Sequence, residues 1–270
     1  MSFLTHEQNG LVWLTASHLD ACPGVVHGFS TRLGGVSQPP FDTLNLGVGR
    51  RDDSAAVEEN YRRFCAALGT DVRQVVLSKQ VHGDLVRRVS PEDAGKGLWR
   101  ERDYETDALI TNVPGLALTV FSADCGTALL YDPVTRSVGA VHAGWRGVAN
   151  GILHKAVLEL TRVYGAKPEH LLAALGPSIG ACCFETDDDV PEAMLAAFGP
   201  EAHAHMRRQG AKWHVDLKSL NRLWLLRAGV PDAQIQASEL CTACRPDLFW
   251  SHRRMGQQRG AQVAQIALTL

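Results

Sequence analysis

Cys125 and His142 are the two side chains of this sequence whose spacing brings reactive chemistry together. The apolar, β-branched run 116–121 is followed by a second at 128–131 and a third at 137–141, with Asp132-Pro133 supplying turn chemistry between the last two. The pattern predicts a β-hairpin in which Asp132 faces Ser137 across residues 133–136. That register sets His142 opposite Thr127 and places Cys125 two residues farther along, on the face His142 uses. Such diagonal neighbours lie roughly 7–8 Å apart at the backbone, a gap that two inward-reaching side chains can close, with a metal ion between them. The residues alone leave a plainer arrangement open, a small buried thiol beside a core imidazole, since free cysteine often behaves as a small apolar residue.

Several elements must position this pair. A strand at 25–29 runs into Ser30-Thr31-Arg32-Leu33-Gly34-Gly35-Val36-Ser37, a glycine- and hydroxyl-rich loop that can offer backbone N–H groups and the Arg32 guanidinium to an anion. Ser54 is a candidate cap for a helix to Leu68, with Val57, Tyr61, Phe64 and Leu68 on one face and Gly69 as its stop. Short strands at 74–77 and 85–89 flank the turn that carries His82, and 107–111 and 116–121 read as neighbouring strands. After the hairpin, a helix over 148–164 starts close to His142, where its N-terminal dipole would favour an anion. A strand at 171–175 ends in Gly176-Pro177-Ser178-Ile179-Gly180. Helices at 190–198 and 216–228 follow, the second capped by Asp216, and 262–268 is a final strand. Adjacent Cys182 and Cys183 read as packing residues. Cys241-Thr242-Ala243-Cys244 has the spacing of half a zinc ribbon, but with no second CxxC in the chain the spacing reads as incidental. Many strands interspersed with helices predict an α+β fold, a single domain over 1–270 with mixed β-sheets flanked by helices.

Composition narrows the function. The 270 residues carry a net charge of −2, which gives no general grip on a phosphate backbone or an anionic membrane. No run approaches the ~20 apolar residues of a membrane span, and the N-terminus shows no export signal, so a cytoplasmic location is expected. Seven cysteines, an odd number, suit reduced thiols rather than a disulfide framework. A monomer is the default.

Seven motifs in order resemble the laccase-domain family, whose members are also described as multicopper polyphenol oxidases, purine nucleoside phosphorylases and a peptidoglycan editing factor. They are His27-Gly-Phe-Ser-Thr-Arg32 with the loop after it, Leu44-Asn45-Leu-Gly47, Gln80-Val-His82-Gly83, Ala123-Asp124-Cys125, Val141-His142-Ala-Gly-Trp-Arg146-Gly147, Gly176-Pro-Ser-Ile-Gly180 and Phe249-Trp-Ser-His-Arg-Arg254. The chain departs from the family at Gly126-Thr127, where a proline is common, and at Gly260-Ala261-Gln262, where a Gly-Arg pair is frequent. The resemblance implies a zinc site made by His82, Cys125 and His142, and phosphorolysis of adenosine, inosine or methylthioadenosine together with adenosine deamination. Three N/N/S ligands would leave one position of a tetrahedral zinc open, as in catalytic sites. Arg32, Asn45 and Arg146 are the expected contacts to substrate and phosphate, and Asp124, beside Cys125, is the expected proton-transfer residue, unless strand alternation turns it away.

Three other chemistries remain to be weighed. Two His and one Cys also form the equatorial set of a copper centre, but a multicopper oxidase needs a His-rich cluster, and this chain has one HxH pair, His203-Ala-His205. Cys125 and His142 could act as nucleophile and base of a hydrolase, including one acting on a peptidoglycan precursor, which leaves His82 without a role. A metal-stabilised binding scaffold would need a closed site.

Overall fold

The computed structural model describes residues 3–49 and 51–269. Six strands form one mixed sheet: β1 (Phe3–Gln8), β2 (Leu11–Ala16), β3 (Val25–Ser30), β4 (Val75–Val76), β7 (Ala117–Ser122) and β15 (Gln262–Leu268), in the order β1-β2-β3-β15-β7-β4. A second contains β5 (Val86–Arg88), β6 (Ala108–Thr111), β8 (Gly126–Asp132), β9 (Ser137–Ala143), β10 (Leu172–Leu175) and β14 (Ile235–Ala237), in the order β14-β10-β8-β9-β6-β5. Strands β11 (Glu185–Thr186), β12 (Met206–Gln209) and β13 (Lys212–Val215) make a small antiparallel sheet beside them. The fold is α+β, as its sequence predicts.

The two large sheets pack face to face. Along β8, Leu129 and Tyr131 enter the core shared with Phe29, Leu118, Val120 and Ile266 of the first sheet, while Ala128 and Leu130 face the other way. Both faces are dry, which is why this strand reads as a continuous apolar run rather than an alternating one. Helices α4 (Ile152–Tyr164) and α6 (Leu217–Arg227) cover the outer face of the second sheet through Ile152, Leu153, Leu160, Leu220 and Leu225. Helix α2 (Ser54–Leu68) covers the first with Val57, Tyr61 and Phe64. The layers therefore run helix, sheet, sheet, helix. Shorter helices α1 (Ser17–Asp20), α3 (Trp145–Ala149), α5 (Asp189–Phe198) and α7 (His252–Met255) complete the set among the described residues. No described helix is long and apolar enough to cross a membrane.

Three expectations need correction. Residues 107–111 and 116–121 are not neighbouring strands of one sheet: β6 pairs with β5 and β9, whereas β7 pairs with β15 and β4, so the intervening turn crosses the sandwich. The helix expected over 148–164 is two helices, α3 and α4, separated by Asn150 and Gly151. Gly151 takes the left-handed conformation at φ 74°, and Trp224 Nε1 donates to the Val148 carbonyl (2.7 Å), giving the interrupted turn a new partner. Helix α2 is capped by Asp53, which accepts from Ala55 N at 3.0 Å, and not by Ser54. Its stop at Gly69, φ 71°, is as expected.

Candidate metal centre

The hairpin forms in the expected register, Asp132 with Ser137 and Thr127 with His142. Cys125 lies just before β8 and His142 near the end of β9, and the two meet a third side chain, His82, from the turn between β4 and β5. The ligand atoms of His82, Cys125 and His142 all lie within 4.8 Å of one another. The rings of His82 and His142 stand edge to face, 5.0 Å between centroids. Ligands around a tetrahedral zinc are roughly 3.3–3.8 Å apart, so small rotations of these side chains would close on an ion.

Asp107, at the entrance of β6, holds this arrangement. Its fully buried carboxylate pairs with His142 Nδ1 at 2.8 Å and accepts from the backbone N–H groups of Val81, His82 and Gly83 at 3.1, 3.0 and 2.9 Å. One carboxylate thus fixes the His142 tautomer, turning Nε2 inward, and clamps the turn that carries His82, itself at a positive φ of 60°. Gly144 matters for space. A Cβ there would lie 2.8 Å from His82 Cδ2 and 3.4 Å from Cys125 Sγ, so only glycine leaves room for the three ligands.

The electrostatics suit a cation. Burial would raise the Cys125 thiol, but the charge of His142 and hydrogen bonds from His142 and His82 outweigh it and lower the thiol well below its ordinary range. Burial would lower His142, yet the Cys125 charge and the Asp107 hydrogen bond raise it. Burial likewise acts to raise Asp107, and His142 with the Gly83 and Val81 N–H groups holds the carboxyl below the usual range. Thiolate and imidazolium stabilise each other here, and a cation can displace the imidazolium proton to take two ready ligands.

The group opens onto a cavity of about 350 Å³ whose walls include Trp145, Phe184, His252, Arg253 and Arg259. Volume does not single it out, because the depression between Val36 and Ala56 is about 600 Å³; its chemistry does.

The other expected site residues fare differently. Asp124 lines the cavity, but it sits at φ 89° in a bend, so strand alternation does not govern it. Its carboxylate accepts from Thr242 Oγ1 (2.6 Å), Ser251 Oγ (3.0 Å) and Arg253 N (2.7 Å). The Arg32 guanidinium bonds to the Asp42 and Pro246 carbonyls and stacks 4.0 Å over Trp250. The Gly34 and Gly35 N–H groups, expected to face an anion, donate to Thr43 Oγ1 at 3.1 Å each. Asn45 is fully buried, donating to Asp52 and accepting from Gly47 and Ala261 N–H groups. Arg32 and Asn45 therefore build loops rather than the cavity, and polar loop chemistry looks the same in sequence whether its donors face a ligand or the chain. Arg146 is exposed, with its guanidinium 4.2 Å over Trp145.

Asp107, Gly144 and Phe184 were not singled out from sequence; the one available signal for Asp107 was a carboxylate directly ahead of a buried strand. The structure also brings together cysteines that lie far apart in sequence. Cys182 and Cys183 meet Cys241 and Cys244, all four sulfurs within 4.8 Å. A bridge between Ser178 and Cys241 joins these two segments, which are far apart in sequence.

A family model described as multi-copper polyphenol oxidoreductase laccase matches residues 26–269. The chain belongs to this family. It is 37% identical over 249 residues to the purine nucleoside phosphorylase YlmD of Bacillus subtilis, covering 90% of this chain and 88% of that one. It is also 37% identical to the purine nucleoside phosphorylase YfiH of Escherichia coli, over 86% of this chain and 89% of the other. Among solved structures, YlmD from Geobacillus stearothermophilus superposes with a TM-score of 0.90 at 35% identity, over 99% of each chain. Family membership and the His82–Cys125–His142 group agree with the resemblance seen in the motifs.

Proposed function

We propose that this chain is a zinc-dependent purine nucleoside phosphorylase, converting adenosine, inosine or methylthioadenosine and phosphate to free base and ribose 1-phosphate, with adenosine deamination at the same centre. The observation that carries the reading is one cavity that joins a three-ligand metal group to flat apolar walls and to cationic side chains. Trp145 and Phe184 give the wall aromatic surface suited to a purine, and Arg259 and Arg253, the latter also bonded to the Cys183 and Glu185 carbonyls, bring positive charge for a phosphate dianion. The relatives' names point the same way.

His82, Cys125 and His142 fit a zinc ion, with Asp107 behind them to orient His142. When bound with one open position, zinc supplies Lewis-acid polarisation of an oxygen or nitrogen and makes a water more acidic. Asp124 acts as a positioning residue: its carboxylate, already accepting three hydrogen bonds, seats the first turn of α7 and so places His252 and Arg253 on the cavity wall. The test is chromatography of products from adenosine with and without phosphate. Adenine formed only with phosphate supports phosphorolysis, and inosine formed without it supports deamination; neither product from zinc-loaded protein overturns the proposal.

The family description favours a second reading, copper-dependent oxidation of phenols, because two imidazoles and a thiolate suit copper as well. Among the described residues, His203 and His205 join no group of three metal-ligating side chains, so the wider cluster of a multicopper oxidase lacks its ligands. Oxygen uptake with a phenol by the copper-loaded protein would reinstate that reading.

A further inference from the structure

Beside the cavity, and separate from the His82–Cys125–His142 group, four thiols converge from two segments. Cys182 and Cys183 come from the loop after β10, Cys241 and Cys244 from the turn after β14. Cys244 Sγ lies 3.5 Å from Cys182 Sγ and 3.4 Å from Cys183 Sγ, and all four sulfurs fall within 4.8 Å of one another. Four thiolates around a tetrahedral zinc, with bonds of about 2.3 Å, would be roughly 3.8 Å apart. Adjacent cysteines on extended chain point to opposite sides. Here a tight turn removes that obstacle: the N–H groups of Cys183 and Phe184 both bond to the Gly180 carbonyl at 2.9 Å, and both thiols emerge toward Cys244.

An N–H donor and three cationic side chains lie against the segments that carry the sulfurs. Gly180 N donates to Cys241 Sγ at 3.2 Å, and a Cβ on Gly180 would press on Cys182 Sγ at 3.3 Å and on Cys241 Cβ at 3.4 Å. Arg253 bonds to the Cys183 carbonyl (3.0 Å) and Arg254 to the Ala243 carbonyl (2.8 Å), so a guanidinium grips each cysteine segment. The Lys218 ammonium, half-buried, bonds to the Ser238 and Leu240 carbonyls just ahead of Cys241. Zinc held by four thiolates carries a net charge of −2, and these cations would offset it.

We propose that Cys182, Cys183, Cys241 and Cys244 form a second, structural metal site that binds a zinc ion through four sulfurs, releasing the thiol protons to solvent. Closed by four protein ligands, it has no open position and does no chemistry. Its effect is mechanical. It staples residues 179–184, which bring Ile179 and Phe184 to the cavity, to the turn whose Thr242 donates to Asp124. The outer cavity wall thus depends on a metal that the reacting molecules never touch.

The test is metal content per chain of the full-length protein purified with reductant. Wild type is expected to carry two zinc ions, Cys241→Ser/Cys244→Ser one, and His82→Ala one. Cobalt loading adds a readout independent of the cysteine variant's folding: the intense visible bands of a tetrahedral tetrathiolate should persist in His82→Ala. One zinc in wild type and none in His82→Ala would overturn the proposal. So would cobalt-loaded His82→Ala without those bands, or a Cys182–Cys244 or Cys183–Cys244 disulfide in the reduced preparation.

Discussion

Replacing Asp107 by Asn exposes how much one carboxylate does. Its Oδ1 meets His142 Nδ1 and the His82 N–H, and its Oδ2 meets the N–H groups of Val81 and Gly83. An amide must present NH₂ to one of these two pairs of donors, so either orientation leaves two of them facing hydrogen. Asp107→Asn is expected to weaken zinc binding by about 10–100-fold, the usual effect of losing an outer hydrogen-bond partner of a ligating imidazole. Competition with a chromogenic chelator measures it. Gly144→Ala makes the complementary case, because its φ of −65° suits any residue and the nearest atoms to the added methyl belong to the three ligands. We expect zinc affinity to fall while the thermal unfolding of metal-free protein stays within about 1 kcal/mol of wild type; unchanged affinity would show that His82 does not hold the ion. At this scale the sequence was legible where chemistry follows from register: Asp132 facing Ser137 sufficed to bring Cys125 to His142. It was not legible for Asp107, whose partners come from a turn 25 residues earlier, nor for Arg32 and Asn45, whose donors turn inward to the chain.

At the scale of elements, the break between α3 and α4 sets Trp145 at the start of its own short helix, on the cavity wall. Gly151 makes the break at φ 74°, where a side chain costs roughly 1–2 kcal/mol. The new methyl would rest on Trp224 at 3.4 Å, an ordinary contact, so strain alone decides the outcome. Gly151→Ala is expected to lower stability to urea by about 1–2 kcal/mol with zinc content unchanged, and a neutral or stabilising result would mean that the helix runs through. Apolar spacing over 148–164 could not reveal this break, because the residues on both sides of it continue the same buried face. Strands β8, β9 and β15 were legible because each is bounded by turn residues. The partition of β6 and β7 between two sheets was not, since β6 is wholly buried, β7 is buried except at Phe121, and nothing local states which sheet a buried strand joins.

For the whole molecule, acid stability follows from a histidine outside the metal group. His27 on β3 is buried, and its Nε2 accepts from Ala16 N at 2.8 Å, a bond that requires the neutral ring. Burial pushes it down from 6.5 to about 4, against the pull of Asp20. Between those two values the unfolded chain binds a proton that the folded chain excludes, so stability is full above about pH 6.5 and declines as pH falls toward 4, by roughly 3 kcal/mol at most. His18, also held down by burial, adds in the same direction. Urea midpoints across that range should fall in wild type and fall less in His27→Gln; equal slopes would contradict the assignment. The layered architecture brings the β4–β5 turn and the β8–β9 hairpin together around His82, Cys125 and His142, where the proposed reaction takes place. The most direct measurement is phosphate-dependent release of base from inosine by zinc-loaded wild type and by His82→Ala, with metal content determined on the same samples. His82→Ala is expected to lose the ion of this group and more than about 100-fold of the rate, beyond the effect of losing an outer hydrogen bond. Full phosphorolysis by a His82→Ala protein that lacks that ion would contradict it.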